Sequence, residues 1–271
     1  MSLQKIESYG VLKKNIINSE IDIIVEEVKS IGYSILNPFF SDLELKNFSD
    51  KFNEVREKYI KVYKEEFLRE IDEYNSIRLP LLFDKCFLDL AMNQKVLQIV
   101  SSLIHGKFIL NQQNGVINPS NEKYNQGLWH RDLPYQHFIS STPIAINALF
   151  CLDEFTIENG ATYVLPFTHK QEPFPSDHYI TKNSKQITAP AGAYIILDCM
   201  TFHKGGYNSS SKNRRAINHV YTIPYIKQQI DMSGLEELYD LDSNTRDLLG
   251  MNYPSPNTIQ KYLDNRKLKI I

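Results

Sequence analysis

The segment Ile144 to Leu152 (IAINALFCL) sets the tightest limit on how this chain folds. Its residues are apolar throughout, with Asn147 as the one exception. It falls well short of the roughly 18 apolar residues needed to cross a bilayer. It also lacks the three-and-four spacing of an amphipathic helix and the strict alternation of a half-buried strand. A short continuous apolar run of this kind predicts a strand covered on both faces. The chain must therefore provide a sheet around this strand and layers on either side of it.

The sequence after Gly106 has the right pattern for the sheet. Lys107 to Ile117 reads as a strand. Ala161 to Leu165 follows the turn Glu158-Asn159-Gly160, Ala193 to Leu197 follows Ala191-Gly192, and Ala216 to Ile223 forms a further strand. Short strands separated by Gly, Pro and Asn turns predict a barrel or jelly roll.

The sequence before Gly106 is helical in period. Ile21, Ile24, Val25, Val28 and Ile31 recur on one face, and Gly32 reads as a stop. Ser41-Asp42-Leu43-Glu44 is a capping box, followed by one apolar stripe through Leu45, Phe48, Phe52, Val55, Tyr59 and Val62. Asn93 to His105 predicts another helix, with Gly106 as its cap. The expected architecture is a mainly β core with flanking helices, an α+β chain. It forms one domain over residues 1–271: a helical part at about 1–106, a β core at about 107–227, and a C-terminal extension at 228–271 that Pro254 and Pro256 interrupt.

Charge and cysteine content narrow the partners. Lys and Arg total 30 against 32 Asp and Glu, for a net charge of −2. No overall field draws nucleic acid or an anionic membrane, so neither is expected as a partner. Cys86, Cys151 and Cys199 are odd in number, far apart and without a CxxC, which predicts free thiols rather than a disulfide scaffold or a zinc ribbon. The first residues, MSLQKIESYGVLKK, hold no apolar signal core. A cytoplasmic location is expected, and the oligomeric state is not legible.

Three places carry chemistry. In Trp129-His130-Arg131-Asp132, alternation on an extended segment turns His130 and Asp132 to one side, where both can address one metal. His203 follows the β run and Asp198, at a position where a returning strand faces a cavity. Two histidines and one carboxylate form a facial set that suits Fe(II) and leaves coordination positions open. Arg214 then opens a strand, and a guanidinium beside an open metal site can bind a dicarboxylate in bidentate fashion. Its neighbour Arg215 is expected to face solvent.

These residues, together with Asn159-Gly160-Ala161-Thr162 and Leu165-Pro166-Phe167-Thr168-His169-Lys170, resemble the phytanoyl-CoA dioxygenase family from about Lys107 to Ile223. The resemblance implies a double-stranded β-helix, a jelly roll of the cupin type. It implies Fe(II) held by His130, Asp132 and His203, with 2-oxoglutarate bound through its distal carboxylate by Arg214, and O2 as oxidant. It implies oxidation of a small-molecule C–H bond while 2-oxoglutarate becomes succinate and CO2. Asn147 is the candidate for a second cosubstrate contact, sharing its face with Leu149, where some relatives carry an aromatic. Related halogenases replace the carboxylate with a small residue, so Asp132 disfavours halogenation. Hydroxylation, desaturation and cyclisation share their first step and stay open. Two alternatives remain at this level: a cupin-like isomerase or hydrolase that does not use 2-oxoglutarate, and a non-catalytic β-helix binding module.

Among the other residues, His169 is expected to fix a loop and Trp129 to pack beside the ligands. His137, with Tyr135 and Gln136, is a candidate for the substrate mouth, and His219 faces either the cavity or solvent. The polar loops Asn118 to Gln126 and Pro173 to Lys185 are expected to act as lids that set substrate choice, with residues that suit a polar small molecule better than an acyl chain.

Overall fold

The fold is described from a computed structural model over residues 6–133 and 139–268. Helices and short strands alternate through the first part: α1 Glu20–Ile31, β1 Tyr33–Leu36, α2 Asp42–Tyr63, α3 Glu65–Glu70, β2 Ser76–Arg78, α4 Cys86–Ala91 and α5 Gln94–Ile104. The β-rich part follows with β3 Ile109–Asn118, β4 Ala145–Cys151, β5 Tyr163–Val164, α6 Asp177–Asn183, β6 Lys185–Gln186, β7 Tyr194–Asp198, β8 His203–Lys204 and β9 Arg214–Thr222. Two helices, α7 Ser243–Leu248 and α8 Ile259–Leu268, end the described chain.

Local chemistry explains the helix ends. Ser19 accepts from the Asp22 N–H at the start of α1, and Gly32 closes the helix at φ 93°. The Ser41–Glu44 capping box forms in full at the start of α2. The stripe of α2 buries Phe52, Val55 and Tyr59 and then runs out, leaving Val62 exposed. Helix α5 is capped by Asn93 and closed by His105 at φ 56°, one residue before the glycine predicted for that role. The His105 N–H reaches the Ser101 carbonyl, so the left-handed turn is complete before Gly106.

Six strands make one antiparallel sheet in the order β1-β7-β4-β9-β3-β2, and β6-β5-β8 make a second. Strand β4, the apolar run, lies between β7 and β9, with Ala148 opposite both Ile196 and His219. One face of the large sheet sends Ile146, Phe150, Tyr194, Ile196, Ile217 and Tyr221 into the main core with Val28, Phe52, Val55 and Ile99 of the helices. The other face sends Cys151, Ile195, Leu197 and Ala216 against Ala161 and Val164 of the smaller sheet and Ile187 beside it. The period-2 pleat makes this division and gives the strand its two buried faces.

Strands β1 and β2 arise inside the segment read as helical. Each is three or four residues at an edge of the large sheet, too short for a periodic signal. Likewise α6 and β6 occupy the stretch read as irregular. The three cysteines are free, with Cys151 and Cys199 buried. Among the described residues no helix is long and apolar enough to cross a membrane.

Candidate metal centre

Backbone pairing assembles the site. His130 and His203 form an antiparallel bridge, each N–H donating to the other's carbonyl at 3.0 Å. Two residues on, the Asp132 N–H donates to the Cys199 carbonyl at 3.2 Å. These bonds lay the His130-x-Asp132 segment alongside β8, so alternation turns both side chains toward His203. One ligand atom from each of the three residues lies within 4.8 Å of the others. The two imidazole centroids are 4.4 Å apart, and His203 Nε2 is 3.5 Å from Asp132 Oδ1.

The surroundings orient each ligand. His130 Nδ1 is 2.7 Å from the Leu128 carbonyl and His203 Nδ1 is 3.0 Å from the Thr201 carbonyl. A carbonyl can only accept, so each Nδ1 carries the proton and each Nε2 lone pair is left for a metal. Asn147 donates from Nδ2 to Asp132 Oδ2 at 2.9 Å. Burial opposes the charge of Asp132, but His203, His130 and the Asn147 amide outweigh it and hold the carboxyl at about 2. Burial and the neighbouring His203 both lower His130, which keeps that imidazole neutral. A carboxylate and two imidazoles, with no thiolate among them, are the donors that suit Fe(II).

Arg214 is 4% exposed, sits opposite Asn118 at the start of β9, and lies 3.7 Å above the Phe155 ring. Its Nε and Nη1 are buried and have no hydrogen-bond partner among the described residues. Burial works against the guanidinium charge, and the Tyr124 phenol beside it works in its favour. A buried arginine with open donors is costly unless an anion joins it. The Asn147 Oδ1 is also buried and has no partner among the described residues, which leaves an acceptor open beside the ligands. Arg214, Asn147 and the three ligand residues line one cavity with Leu149, Tyr124 and Asn218.

Other expectations sort clearly. His169 is buried with Nε2 3.2 Å from the Lys29 carbonyl, in keeping with a loop-fixing role. His219 turns to the helical side of the sheet, with Nδ1 on the Ala148 carbonyl. Trp129 lies under the Lys204 ammonium at 5.3 Å. Arg215 does not face solvent as expected: it forms a bidentate pair with Asp153 and reaches Ser49 and Asn53 on α2. His137, Tyr135 and Gln136 lie outside the described residues. Of the two expected lids, residues 118–126 supply Tyr124 and Gln126 to the cavity. Phe155 lines the cavity with no signal in the sequence, Thr162 lines it from the Asn159-Gly160-Ala161-Thr162 motif, and Asn218 shares the parity of Arg214 on β9 and was legible in principle.

The sequence matches the profile of the family described as phytanoyl-CoA dioxygenase over residues 28–216. Protein Rv1501 of Mycobacterium tuberculosis is 29% identical over 241 residues, covering 86% of this chain and 88% of that protein. The dioxygenase olcK of Penicillium canescens is 32% identical over 146 residues, 49% of this chain and 46% of olcK. Among solved structures, EctD from S. alaskensis, determined with 2-oxoglutarate and 5-hydroxyectoine, superposes with a TM-score of 0.64 at 19% identity, over 74% of this chain and 75% of EctD. That likeness is one of fold.

Proposed function

The chain belongs to the phytanoyl-CoA dioxygenase family and is an iron- and 2-oxoglutarate-dependent oxygenase, and from that premise we propose how its residues divide the work. His130, Asp132 and His203 hold Fe(II), and Arg214 holds the distal carboxylate of 2-oxoglutarate. The observation that carries this reading is the pairing of one convergent ligand set with one buried arginine whose Nε and Nη1 are open in the same cavity. The bound iron and cosubstrate supply oxidation of a C–H bond of a small molecule, with succinate and CO2 as coproducts. Halogenation is disfavoured, because Asp132 occupies the place that a halide would need. The two facing sheets form the double-stranded β-helix of this reading.

The chain's own residues do four things. The Leu128 and Thr201 carbonyls hold His130 and His203 in the metal-binding tautomer. Asn147 fixes the rotation of the Asp132 carboxylate, leaving its other oxygen toward His203. Arg214, packed on Phe155, presents two open donors to an anion. Leu149, Phe155 and Ala216 make an apolar wall that limits water around the reacting centre. Helices, sheets and C-terminal residues act as one oxygenase unit in this reading. Its support is the main core, which joins Val28 and Val55 of the helices to Ile217 and to Met232, Leu235 and Leu249.

The test is metal and cosubstrate binding. Titration with Fe(II) under nitrogen, followed by 2-oxoglutarate, is expected to give saturable binding of each in the wild type. His130→Ala and Asp132→Ala are expected to lose the metal. Arg214→Ala is expected to keep the metal and lose roughly a hundredfold in 2-oxoglutarate affinity, as for a buried charged hydrogen bond. Equal 2-oxoglutarate affinity in Arg214→Ala would overturn Arg214 as the group that holds the distal carboxylate.

A further inference from the structure

The amides of β3 are used in two different ways. Gln113 donates to the Phe87 carbonyl at 2.7 Å and accepts from the Leu81 N–H at 3.0 Å. Asn111 donates to the carbonyls of Ile226 and Lys227, and Asn118 to those of Gly160 and Gly206. These three tie loops to the sheet. Gln112 and Asn114 are 9% and 6% exposed and bond to no backbone group of the described residues. Asn114 donates through Nδ2 to Gln112 Oε1 at 3.1 Å and, across the strand pair, to Asn218 Oδ1 at 3.2 Å.

That arrangement aims the remaining groups. The carbonyl oxygens of Gln112 and Asn218 are engaged by Asn114, so their amino groups, and Asn114 Oδ1, have no hydrogen bond to a described residue. Asn218 lines the cavity of the three ligand residues. Register puts Gln112 opposite Val220, which on its other side faces Asn147, the partner of Asp132. Alternate positions on a strand are about 7 Å apart, so the row can reach hydroxyls on well-separated carbons of one small molecule. Buried polar groups require partners, and carboxamides with open groups beside a cavity can supply the few polar contacts that orient a ligand. Among the described lining residues the charged groups are the metal ligands and Arg214, which the cosubstrate uses. Nothing is left there to neutralise a substrate phosphate or carboxylate.

The geometry points to an uncharged, hydroxyl-rich substrate of the polyol or sugar type, bound by Gln112, Asn114 and Asn218. This rests on the reading of the metal site above and extends it to the substrate. The row reads hydroxyls with two donors and one acceptor, and holds the molecule on the β3 side of the metal ligands. Among the described residues lining this cavity, an acyl-CoA would find no cation for its phosphates besides Arg214.

The test uses the full chain loaded with Zn(II), as a diamagnetic substitute, and 2-oxoglutarate. Saturation-transfer NMR is run with methyl α-glucoside, myo-inositol and glycerol, and with decanoyl-CoA and glutamate as charged probes. At least one neutral polyol is expected to receive saturation, and the charged probes none. Asn114→Leu and Gln112→Met are expected to weaken polyol binding roughly tenfold or more. Asn114→Asp keeps the volume and removes the donors, so the same loss is expected there without a packing defect. Polyol binding unchanged in all three variants, or binding of decanoyl-CoA alone, overturns the inference. Failure of every polyol while 2-oxoglutarate still binds by calorimetry also overturns it and leaves the metal-site reading intact. Failure of 2-oxoglutarate itself to bind removes the reading and this inference with it.

Discussion

Asn147 and His219 are neighbours across the β4–β9 pair but face opposite sides of the sheet, and their chemistry differs accordingly. Asn147 is a positioning residue: it touches Asp132 at 2.9 Å and orients it. Asn147→Leu keeps the volume and removes that bond. A loss of about 10–100-fold in metal affinity is expected, as for other groups that orient ligands, with little change in melting temperature. An Fe(II) titration checks this; unchanged affinity would make Asn147 a core amide only. His219 lies among Tyr194 and Tyr221, and burial holds its imidazole neutral down to about 4. In the unfolded chain it takes up a proton near 6.5. Its contribution to stability is therefore complete above pH 6.5 and lost as pH falls toward 4, by up to about 3 kcal/mol. Asp198 acts with the opposite sign, since burial raises its carboxyl to about 6 and its contribution is lost as pH rises from 3.8 to 6. The two partly cancel in the wild type. His219→Gln is expected to remove the loss on the acid side, so its stability falls less than that of the wild type between pH 6.5 and 4. Denaturant titrations at several pH values check this.

At the scale of elements, one glycine couples the helical layer to the candidate metal site. Gly32 ends α1 at φ 93°, and a Cβ there would lie 2.4 Å from Thr201 Oγ1 and 2.8 Å from His169 Nδ1. Its carbonyl accepts from the Asp198 N–H and from the Thr201 hydroxyl, both at 3.0 Å. The turn from Asp198 to Phe202 leads straight into His203, so α1 holds the turn that aims a ligand. Gly32→Ala carries both left-handed strain, about 1–3 kcal/mol, and a direct overlap. A lower melting temperature and weaker metal binding together are expected. A stability loss with unchanged metal affinity would show that the turn holds itself. Gly32 was legible as a helix stop. Its approach to Thr201 and His169 was not, because those residues are about 140 to 170 positions away in the chain.

Across the whole molecule, the C-terminal extension divides into a part that belongs to the core and a part that does not. Met232, Leu235, Leu248 and Leu249 are buried in the main core. Full burial of each contributes about 1.5–3 kcal/mol, so together they approach the net stability of a typical domain. Helix α8 buries no residue. Ending the chain after residue 229 is expected to give an unstable, aggregating protein, and ending it after residue 257 to leave melting and metal binding near wild type. Circular dichroism melts of both truncations check this. Arg215 serves the same integration from β9, joining Asp153 near the end of β4 to Ser49 and Asn53 of α2.

The residues of the candidate site were legible because they are local patterns. His130-x-Asp132 is a two-residue alternation, and the apolar run of β4 shows its two buried faces without any partner. The sequence by itself determined which residue types are present for the proposed metal and anion sites, and where helices give way to strands. Short edges such as β1 and β2 escaped because they are strands only by virtue of their neighbours' hydrogen bonds. Arg215 escaped because its partners, Ser49, Asn53 and Asp153, come from distant segments. The same holds for the division of the β3 amides into loop ties and cavity groups: Asn and Gln occur in both sets, and only the fold settles which meet a backbone carbonyl. Tertiary structure alone decided these points, because hydrogen bonding and burial depend on what other elements bring within about 3 Å, and chain spacing carries no record of that.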